Sequence, residues 1–283
     1  MVFKIQNNMK LYNKKLLALV FSLIFISSVC QTKKNDSLRG EFTYMMQYKI
    51  NKLSPDYIIK ELFSLQITDN KAFFSSVNRL KRDSAFNTQL IGGHNDNILD
   101  SRNIPQTRAS FLIIQTNTDV QYYGSVSTTL LSYNSPVINN WKLINETKII
   151  NSIDCKKAEV KYKGRDWIAW YAPEIPFPFG PYKFSGLPGL IIKITDKTGD
   201  YDFELVQSKS NTQLQGKTLV INKGRYENAK LVTKKEFLEA RKNFRKNFKF
   251  ELESAGIILS DSNQNTRIDE TEKPGYNPLE LEE

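Results

Sequence analysis

Cysteine and histidine are scarce in this sequence of 283 residues, which contains two cysteines and one histidine. Cys30 ends an N-terminal stretch that we expect to be removed, and Cys155 is then the remaining thiol. An intrachain disulfide is therefore excluded for the processed chain, whose stability has to come from a hydrophobic core. One histidine and one cysteine also cannot form a usual zinc site, and we predict neither a metal nor another cofactor.

Residues 1–30 have the composition of a signal peptide. Four lysines precede an uncharged apolar run over residues 16–29, which is too short to span a bilayer comfortably. Two interpretations of the processing site remain open: ordinary cleavage before Gln31, or acylation of Cys30 as in a lipoprotein. Export through the Sec pathway is predicted either way, to the periplasm, to the outer membrane or out of the cell.

The positive charge is modest once this stretch is removed. Residues 1–30 contain four lysines and no acidic residue, so their loss lowers the formal net charge from +10 to +6. An excess this diffuse favours anionic surfaces in general but does not indicate nucleic acid, and we predict no nucleic-acid partner. No integral membrane span is expected after signal cleavage.

Most of residues 31–253 have the alternating pattern of half-buried strands. The clearest example has apolar residues at every second position: Phe42, Tyr44, Met46, Tyr48 and Ile50. We predict a single, mainly β (β-rich α+β) domain over 31–253, built as an antiparallel curved sheet or incomplete barrel, with a β-sandwich as the alternative. Residues 79–108 are predicted to be a loop-like insertion, and residues 254–283 a polar C-terminal tail.

One long helix is predicted near the C-terminus, packed on the sheet. Thr233 and Glu236 have the spacing of a capping box, which places the helix from Thr233 to about Glu253. One side of this helix is apolar and the other is rich in lysine and arginine. The simpler interpretation is a packed helix with a solvated charged face, and the alternative is a surface for anionic lipid or another envelope polymer.

Residues 164–194 contain the densest run of aromatics, prolines and glycines in the sequence. Gly186 and Gly189 suit positive φ angles or a close approach of another backbone, and Pro188 restricts the chain between them. We interpret the run as a rigid corner that leads into a buried strand. Its structural motif consists of Gly180, Pro181, Gly186, Leu187, Pro188, Gly189, Leu190 and Ile191.

The same run supports a binding hypothesis. Six aromatic side chains could line a groove for a sugar, a peptide or a lipid. They are Trp167, Trp170, Tyr171, Phe177, Phe179 and Tyr182.

Evidence for catalysis is thin, and we predict no catalytic residue. Asp166 and Glu174 could form a carboxylate pair for an envelope hydrolase, which is the alternative function. A dyad of Cys155 and His94 is conceivable, but a small buried thiol explains Cys155 more simply. The acidic residues near Asp196 could ligate calcium, but a hairpin turn explains their presence more simply.

The hexapeptide at Gly186–Ile191 resembles the signature of the GLPGLI family, exported proteins of Bacteroidetes with no established function. The resemblance extends through an ordered series of residues on both sides and is strongest between Trp141 and Phe203. It includes Cys155-Lys156-Lys157-Ala158, Gly164-Arg165, Trp167, Trp170-Tyr171, Pro173–Pro176, Gly180-Pro181 and the closing segment Tyr276–Leu281.

This resemblance implies an envelope role, because such proteins are often described near TonB-dependent outer-membrane transport systems. Part of the family region also resembles the N-terminal domain of a type of peptide-N-glycosidase. No partner catalytic domain accompanies this region here. Because of the predicted export, the aromatic and proline-rich run and the lack of a catalytic constellation, we expect a non-enzymatic binding, carrier or accessory protein. Its expected partner is an outer-membrane or other envelope protein, or an apolar or polymeric ligand.

Overall fold

The computed structural model describes residues 36–91, 105–248, 250 and 274–281, without the side chains of residues 86–91. The described elements lie in one compact unit, residues 37–283. The strands are β1 (Gly40–Tyr48), β2 (Ile59–Ile67), β3 (Ala72–Ser76), β4 (Leu112–Gln115), β5 (Asp119–Val126), β6 (Thr129–Pro136), β7 (Lys142–Ile150), β8 (Ile153–Tyr162), β9 (Arg165–Ala172), β10 (Leu190–Asp196), β11 (Tyr201–Ser208) and β12 (Lys230–Leu231). The helices are α1 (Val77–Ile91), α2 (Asn211–Leu214) and α3 (Lys234–Lys246), with a 3-10 turn at Lys223–Arg225.

All twelve described strands belong to one sheet, in the order β12-β6-β5-β4-β3-β2-β1-β11-β10-β9-β8-β7. Neighbouring strands are antiparallel, except that β12 runs parallel to β6. Strands β7 and β12 form the two edges, so the sheet is open. The predicted mainly β fold with an antiparallel sheet is confirmed, and the alternative of two packed sheets is wrong.

Two adjacent residues show how strongly the sheet curves. The carbonyl of Phe179 accepts a hydrogen bond from the backbone N–H of Ile191 in β10 at 3.1 Å. The carbonyl of Gly180 accepts one from the side-chain amide of Gln115 in β4 at 2.8 Å. On a flat sheet β4 and β10 would lie about 24 Å apart, because they are five steps apart in the strand order and strands are spaced about 4.8 Å. The sheet therefore curls until β4 and β10 face each other.

The concave face of this sheet carries the main core. Phe42, Tyr44 and Met46 of β1 are buried and alternate with more exposed residues, as the period of two predicts. The rings of Phe63 and Phe74 stack with their centroids 4.9 Å apart. The hydroxyl of Tyr44 donates a hydrogen bond to the carbonyl of Ile191 at 2.7 Å, which ties β1 to β10 across the intervening strand.

A second, smaller core lies on the convex face. It consists of Phe73, Leu112, Ile114, Tyr123 and Ile221, with Leu219, Tyr226 and Ala229 packed against it. The chain between β11 and β12 covers this part of the sheet, so every residue of β3 is buried.

Helix α1 corrects the prediction of a loop-like insertion over residues 79–108. The segment is poor in apolar residues, but local polar contacts support a helix. The hydroxyl of Ser76 accepts a hydrogen bond from the backbone N–H of Arg79 at 3.2 Å, as a helix N-cap does. Arg79 also pairs with Asp83 one turn later at 2.9 Å. Residues 92–104 lie outside the described residues.

Helix α3 begins where the capping box predicts. Glu236 accepts a hydrogen bond from the backbone N–H of Thr233 at 2.7 Å, and the Thr233 hydroxyl accepts one from the N–H of Glu236 at 3.2 Å. The helix ends at Lys246, and residues 251–253 of the predicted helix lie outside the described part. None of the helices described here has the length and apolar composition that a membrane span requires.

We expect Thr233→Ala to lower the free energy of unfolding by about 1 kcal/mol, because it removes the cap of α3. The effect should reach the whole fold, since Phe237 of this helix packs on the rings of Tyr122 and Tyr133. Urea unfolding measures it, with the exposed helix substitution Lys235→Ala as the control. Equal stability of the two variants would contradict the role of the cap.

Candidate functional site

The segment of residues 173–189 crosses the concave face between β9 and β10, and its two signature glycines hold close backbone contacts. Gly186 has φ +88, and a Cβ there would lie 2.6 Å from the carbonyl oxygen of Ile138. Gly189 has φ +149, and a Cβ there would lie 2.2 Å from the carbonyl oxygen of Ala172. Both the backbone angle and the space therefore require glycine.

Most of the remaining signature residues are part of the core. Gly180, Pro181, Leu187, Leu190 and Ile191 are buried, whereas Gly186 and Pro188 are exposed at the surface of the crossing segment. The motif thus forms the corner between the crossing segment and β10. This is the position that a rigid corner before a buried strand would occupy.

Lys183, in the middle of the crossing segment, places a charged group inside the core. Its side chain is 1% exposed, and its ammonium group lies 2.6 Å from a carboxylate oxygen of Glu280. The ammonium group also donates to the hydroxyl of Tyr133 at 3.0 Å. Three aromatic rings surround it, with centroids 4.9 to 5.4 Å away: Tyr122, Tyr133 and Tyr182.

Glu280 is the acceptor at the centre of this cluster. One carboxylate oxygen accepts from Lys183 and from the hydroxyl of Tyr182 at 2.6 Å, and the other accepts from Lys234 at 2.8 Å. Burial alone raises the pKa of Glu280, but the charge of Lys183 and these hydrogen bonds outweigh it and lower the pKa to about 2. The carboxylate is therefore held ionised, and the pair is charge-compensated.

Tyr182 bears a backbone strain that this contact helps to maintain. Its φ is +54, a left-handed conformation that costs a non-glycine residue about 1–2 kcal/mol. The hydrogen bond to Glu280 and the contact with the ring of Phe111 at 5.9 Å hold the side chain in place. The crossing segment is thus fixed by its polar contacts as well as by its glycines.

A second buried ion pair lies at the start of β9. Arg165 contacts Asp196 at 2.7 Å, and both side chains are under 5% exposed. The guanidinium of Arg165 also donates to the side-chain oxygen of Asn277 and to the carbonyls of Pro278 and Leu279, at 2.5, 2.6 and 3.1 Å. The other oxygen of Asp196 accepts from the backbone N–H groups of Asp200 and Tyr201.

These two networks anchor residues 274–281 in the fold. Asn277 is completely buried, and its amide group donates to the carbonyl of Lys49 at 2.9 Å. The hydroxyl of Tyr201 donates to the carbonyl of Asn277 at 2.6 Å. The prediction of a polar tail is therefore wrong for residues 274–281, which are part of the packed unit. Buried Arg165 and Lys183 need polar partners, and the C-terminal segment supplies them.

The ion-pairing roles of Arg165, Lys183 and Glu280 were not predicted from the sequence. One signal was present, because Lys183 lies in an aromatic, glycine-rich run where a lone lysine is unusual. Its partner lies 97 residues further along the chain, and no local pattern links the two.

The six aromatic residues of the predicted groove do not line one surface. Four of them are buried in the main core: Trp167, Tyr171, Phe179 and Tyr182. Phe177 is half-buried and packs on Phe42 with ring centroids 6.0 Å apart. Trp170 is also half-buried, but it points to the convex face, because β9 alternates and Trp167 and Tyr171 point to the concave one.

Trp170 lies on an exposed part of the convex face. The ammonium groups of Lys148 and Lys157 lie 5.7 and 6.0 Å from the centroid of its ring. Lys148 belongs to β7, the edge strand, which pairs on one side with β8. Seven of the nine residues of β7 are exposed, among them Leu143 and Ile149 at 57% and 68%. We call β7 with Trp170 the β7 surface, and it is the candidate binding site.

Asp166 and Glu174 cannot act as a carboxylate pair. Both are exposed, and they lie near opposite ends of β9, with Asp166 at its second residue and Glu174 two residues beyond its end. A strand rises about 3.3 Å per residue, so the six steps from Asp166 to the end of β9 at Ala172 separate the two positions by roughly 20 Å along the strand. Glycosidase carboxylates lie about 5 to 9.5 Å apart, so the hydrolase alternative built on these residues is wrong.

The structure also explains the other residues considered for catalysis or metal binding. Cys155 is buried, and burial raises the pKa of its thiol to about 11, which disfavours the thiolate that a nucleophile needs. Its hypothetical partner His94 lies outside the described residues. Asp196 is engaged with Arg165 and the hairpin turn, and the described residues contain no cluster suited to a metal ion.

Comparison with protein families identifies a similarity over the central segment. A family described as a protein of unknown function (Porph_ging) matches residues 159–193, from β8 through the crossing segment into β10. This match covers a short part of the chain and includes the signature hexapeptide. No curated protein matches the chain.

Among solved structures, the fold is similar to that of PNGF-II. In its P21 crystal form PNGF-II is 14% identical, with a TM-score of 0.50 over 73% of this chain and 33% of that chain. The C2 crystal form gives the same identity and coverage with a TM-score of 0.47. The chain thus spans about a third of the length of PNGF-II, and at this identity the likeness concerns the fold alone.

Gly189→Ala should destabilise the protein by several kcal/mol, because the new Cβ would overlap the carbonyl of Ala172. Gly199→Ala is the matched control, since Gly199 also has a positive φ but has nothing within 4 Å of a Cβ. The control should cost about 1 kcal/mol from backbone strain alone. Chemical unfolding of both variants gives the comparison, and equal losses would show that the close approach contributes nothing.

Glu280→Gln should lower the free energy of unfolding at pH 7 by roughly 3 kcal/mol, because it leaves the buried charge of Lys183 uncompensated. The pKa of Glu280 falls from an ordinary value of 4.5 to about 2 on folding. Its stabilisation is therefore complete above pH 4.5 and is lost as the pH falls towards 2. Unfolding of both proteins across this range should show their difference in stability shrinking.

The control for this experiment is Glu204→Gln, at a more exposed pair with Lys193. It should cost less than about 1 kcal/mol. A constant difference between Glu280→Gln and the parent protein from pH 7 to pH 2 would contradict the assigned ion pair.

Proposed function

We propose that this chain is an exported cell-envelope protein of the GLPGLI type that acts by binding a partner protein through the β7 surface. The signal-peptide pattern of residues 1–30 and the signature at Gly186–Ile191 support export and the family. The match to a family of unknown function over residues 159–193 is consistent with this assignment.

The observation that carries the proposal is the open edge of β7. An edge strand presents unpaired backbone N–H and C=O groups, which a strand of another chain can pair with. Soluble proteins usually protect such edges by short strands, charges or bulges. Strand β7 has three charged residues and a register irregularity between Ile144 and Thr147, but it is nine residues long and still exposes Leu143 and Ile149. Exposed apolar side chains beside an open edge favour strand addition by a partner.

Trp170 supplies a second feature of a recognition surface. Tryptophan is enriched at protein interfaces, where its large ring contributes much of the binding energy. The neighbouring Lys148 gives an acidic partner segment a complementary charge, whereas Lys157 is already paired with Glu146 at 2.8 Å. The main core fills the concave face over most of the sheet, whereas strand β7 stays largely exposed, so this edge is accessible to a partner.

Site-specific photo-crosslinking in cells that natively produce the protein tests this proposal. A benzophenone amino acid at Ile149 should give a discrete crosslinked product with one envelope protein. The matched control position is Val220, which is 65% exposed on a different part of the molecule and should give none. Trp170→Ala should reduce the yield from Ile149 by at least tenfold, with an unchanged circular dichroism spectrum.

The proposal fails if Ile149 and Val220 give the same products, or if Ile149 gives none. A product at Ile149 that is insensitive to Trp170→Ala would remove Trp170 from the binding surface while leaving the open edge as the site.

A further inference from the structure

A second surface, at the opposite edge of the sheet, combines positive charge with exposed aromatic rings. Helix α3 follows edge strand β12 directly and contains six basic and two acidic residues. Phe237 and Phe244 turn inward, since Phe237 is buried and Phe244 packs against the main core. The opposite side of the helix is therefore the side that faces solvent.

Three lysines follow one line along that solvent side. Lys235, Lys242 and Lys246 are all exposed, and their spacing of seven and four residues places them on one face of a helix. Within the described residues, no ion pair joins any of these three to a carboxylate. In contrast, Lys234 at the side of the helix pairs with the partly buried Glu280. The line of lysines keeps its positive charge available for an external anion.

Two phenylalanines lie just beyond the end of α3. Phe248 is 45% exposed and Phe250 is 72% exposed. Phe248 contacts the ring of Phe244, which fixes it at the helix end, with ring centroids 5.5 Å apart. Exposed phenylalanines at the end of a helix that carries a row of lysines have the chemistry of an interfacial anchor, in which rings enter the headgroup boundary and lysines contact lipid phosphates.

We propose that α3 with Phe248 and Phe250 docks the protein on an anionic lipid membrane surface. This contact is peripheral: the inner side of the helix stays packed on the sheet, the three lysines face the bilayer, and the two exposed rings reach it from beyond the end of the helix. The proposal is independent of partner binding by β7, because the two surfaces lie at opposite edges of the sheet.

The three lysines and the two phenylalanines are expected to contribute together to membrane binding. Each basic residue near an anionic surface contributes about 1 kcal/mol, so loss of three lysines should weaken vesicle binding about 100-fold. The contribution of the lysines should also fall with added salt, since the Debye length shortens from about 10 Å at 0.1 M to about 3 Å at 1 M.

Flotation of residues 31–283 with lipid vesicles tests the proposal, because this chain lacks the apolar run of residues 16–29. The protein should bind vesicles of phosphatidylethanolamine with phosphatidylglycerol and should not bind vesicles of phosphatidylcholine. The variant K235Q/K242Q/K246Q should lose about 100-fold in binding, and F248S/F250S at least tenfold.

Matched controls remove equal charge and apolar surface elsewhere. K60Q/K71Q/K217Q removes three exposed lysines, and L53S/V220S removes two exposed apolar side chains that are 71% and 65% exposed. Both controls should bind like the parent protein, and circular dichroism should show every variant folded.

Three results would overturn the proposal. The first is equal binding to anionic and neutral vesicles, and the second is equal loss in K60Q/K71Q/K217Q, which would mean diffuse charge. The third is binding to soluble polyphosphate as tight as to anionic vesicles, with no effect of F248S/F250S, because the rings would then contact no bilayer.

Discussion

The buried ammonium group of Lys183 is the constraint on which the arrangement of this chain depends. An unpaired charge inside a protein costs several kcal/mol, so a lysine that is 1% exposed requires a carboxylate partner. Glu280 supplies it, although it lies 97 residues away in sequence. The C-terminal segment therefore has to pack beneath the curved sheet, where Arg165 provides a second set of hydrogen bonds for it. These contacts fix the C-terminal segment against the concave face of the sheet.

Local features of the fold were predictable because their causes are local. The alternation of β1 follows from its apolar residues at every second position, and the start of α3 follows from Thr233 and Glu236. The positive φ angles of Gly186 and Gly189 were predictable because glycine has no Cβ and adopts such angles at little steric cost. In each case the residues that determine the structure lie within a few positions of one another.

The rest of the fold depends on contacts between residues that are far apart in the sequence. No pattern indicated that β1 pairs with β11 or that residues 274–281 enter the core. Helix α1 was missed because its support is a Ser76 cap and an Arg79–Asp83 pair instead of an apolar stripe. The predicted aromatic groove was avoidable, since the period of two alone places Trp167 and Trp170 on opposite faces of β9. The spacing of the aromatic residues was a better guide to the positions of their side chains than their number in the segment.

The integration of the C-terminal segment is the central claim, and amide hydrogen exchange tests it most directly. The backbone N–H of Asn277 donates to the carbonyl of Ile50, and that of Leu281 donates to the carbonyl of Lys163, each at 2.9 Å. We expect these amides to exchange about as slowly as those of β1, because they should open only when the whole fold opens. Exchange of both at the rate of an unstructured peptide, while β1 stays protected, would contradict the account.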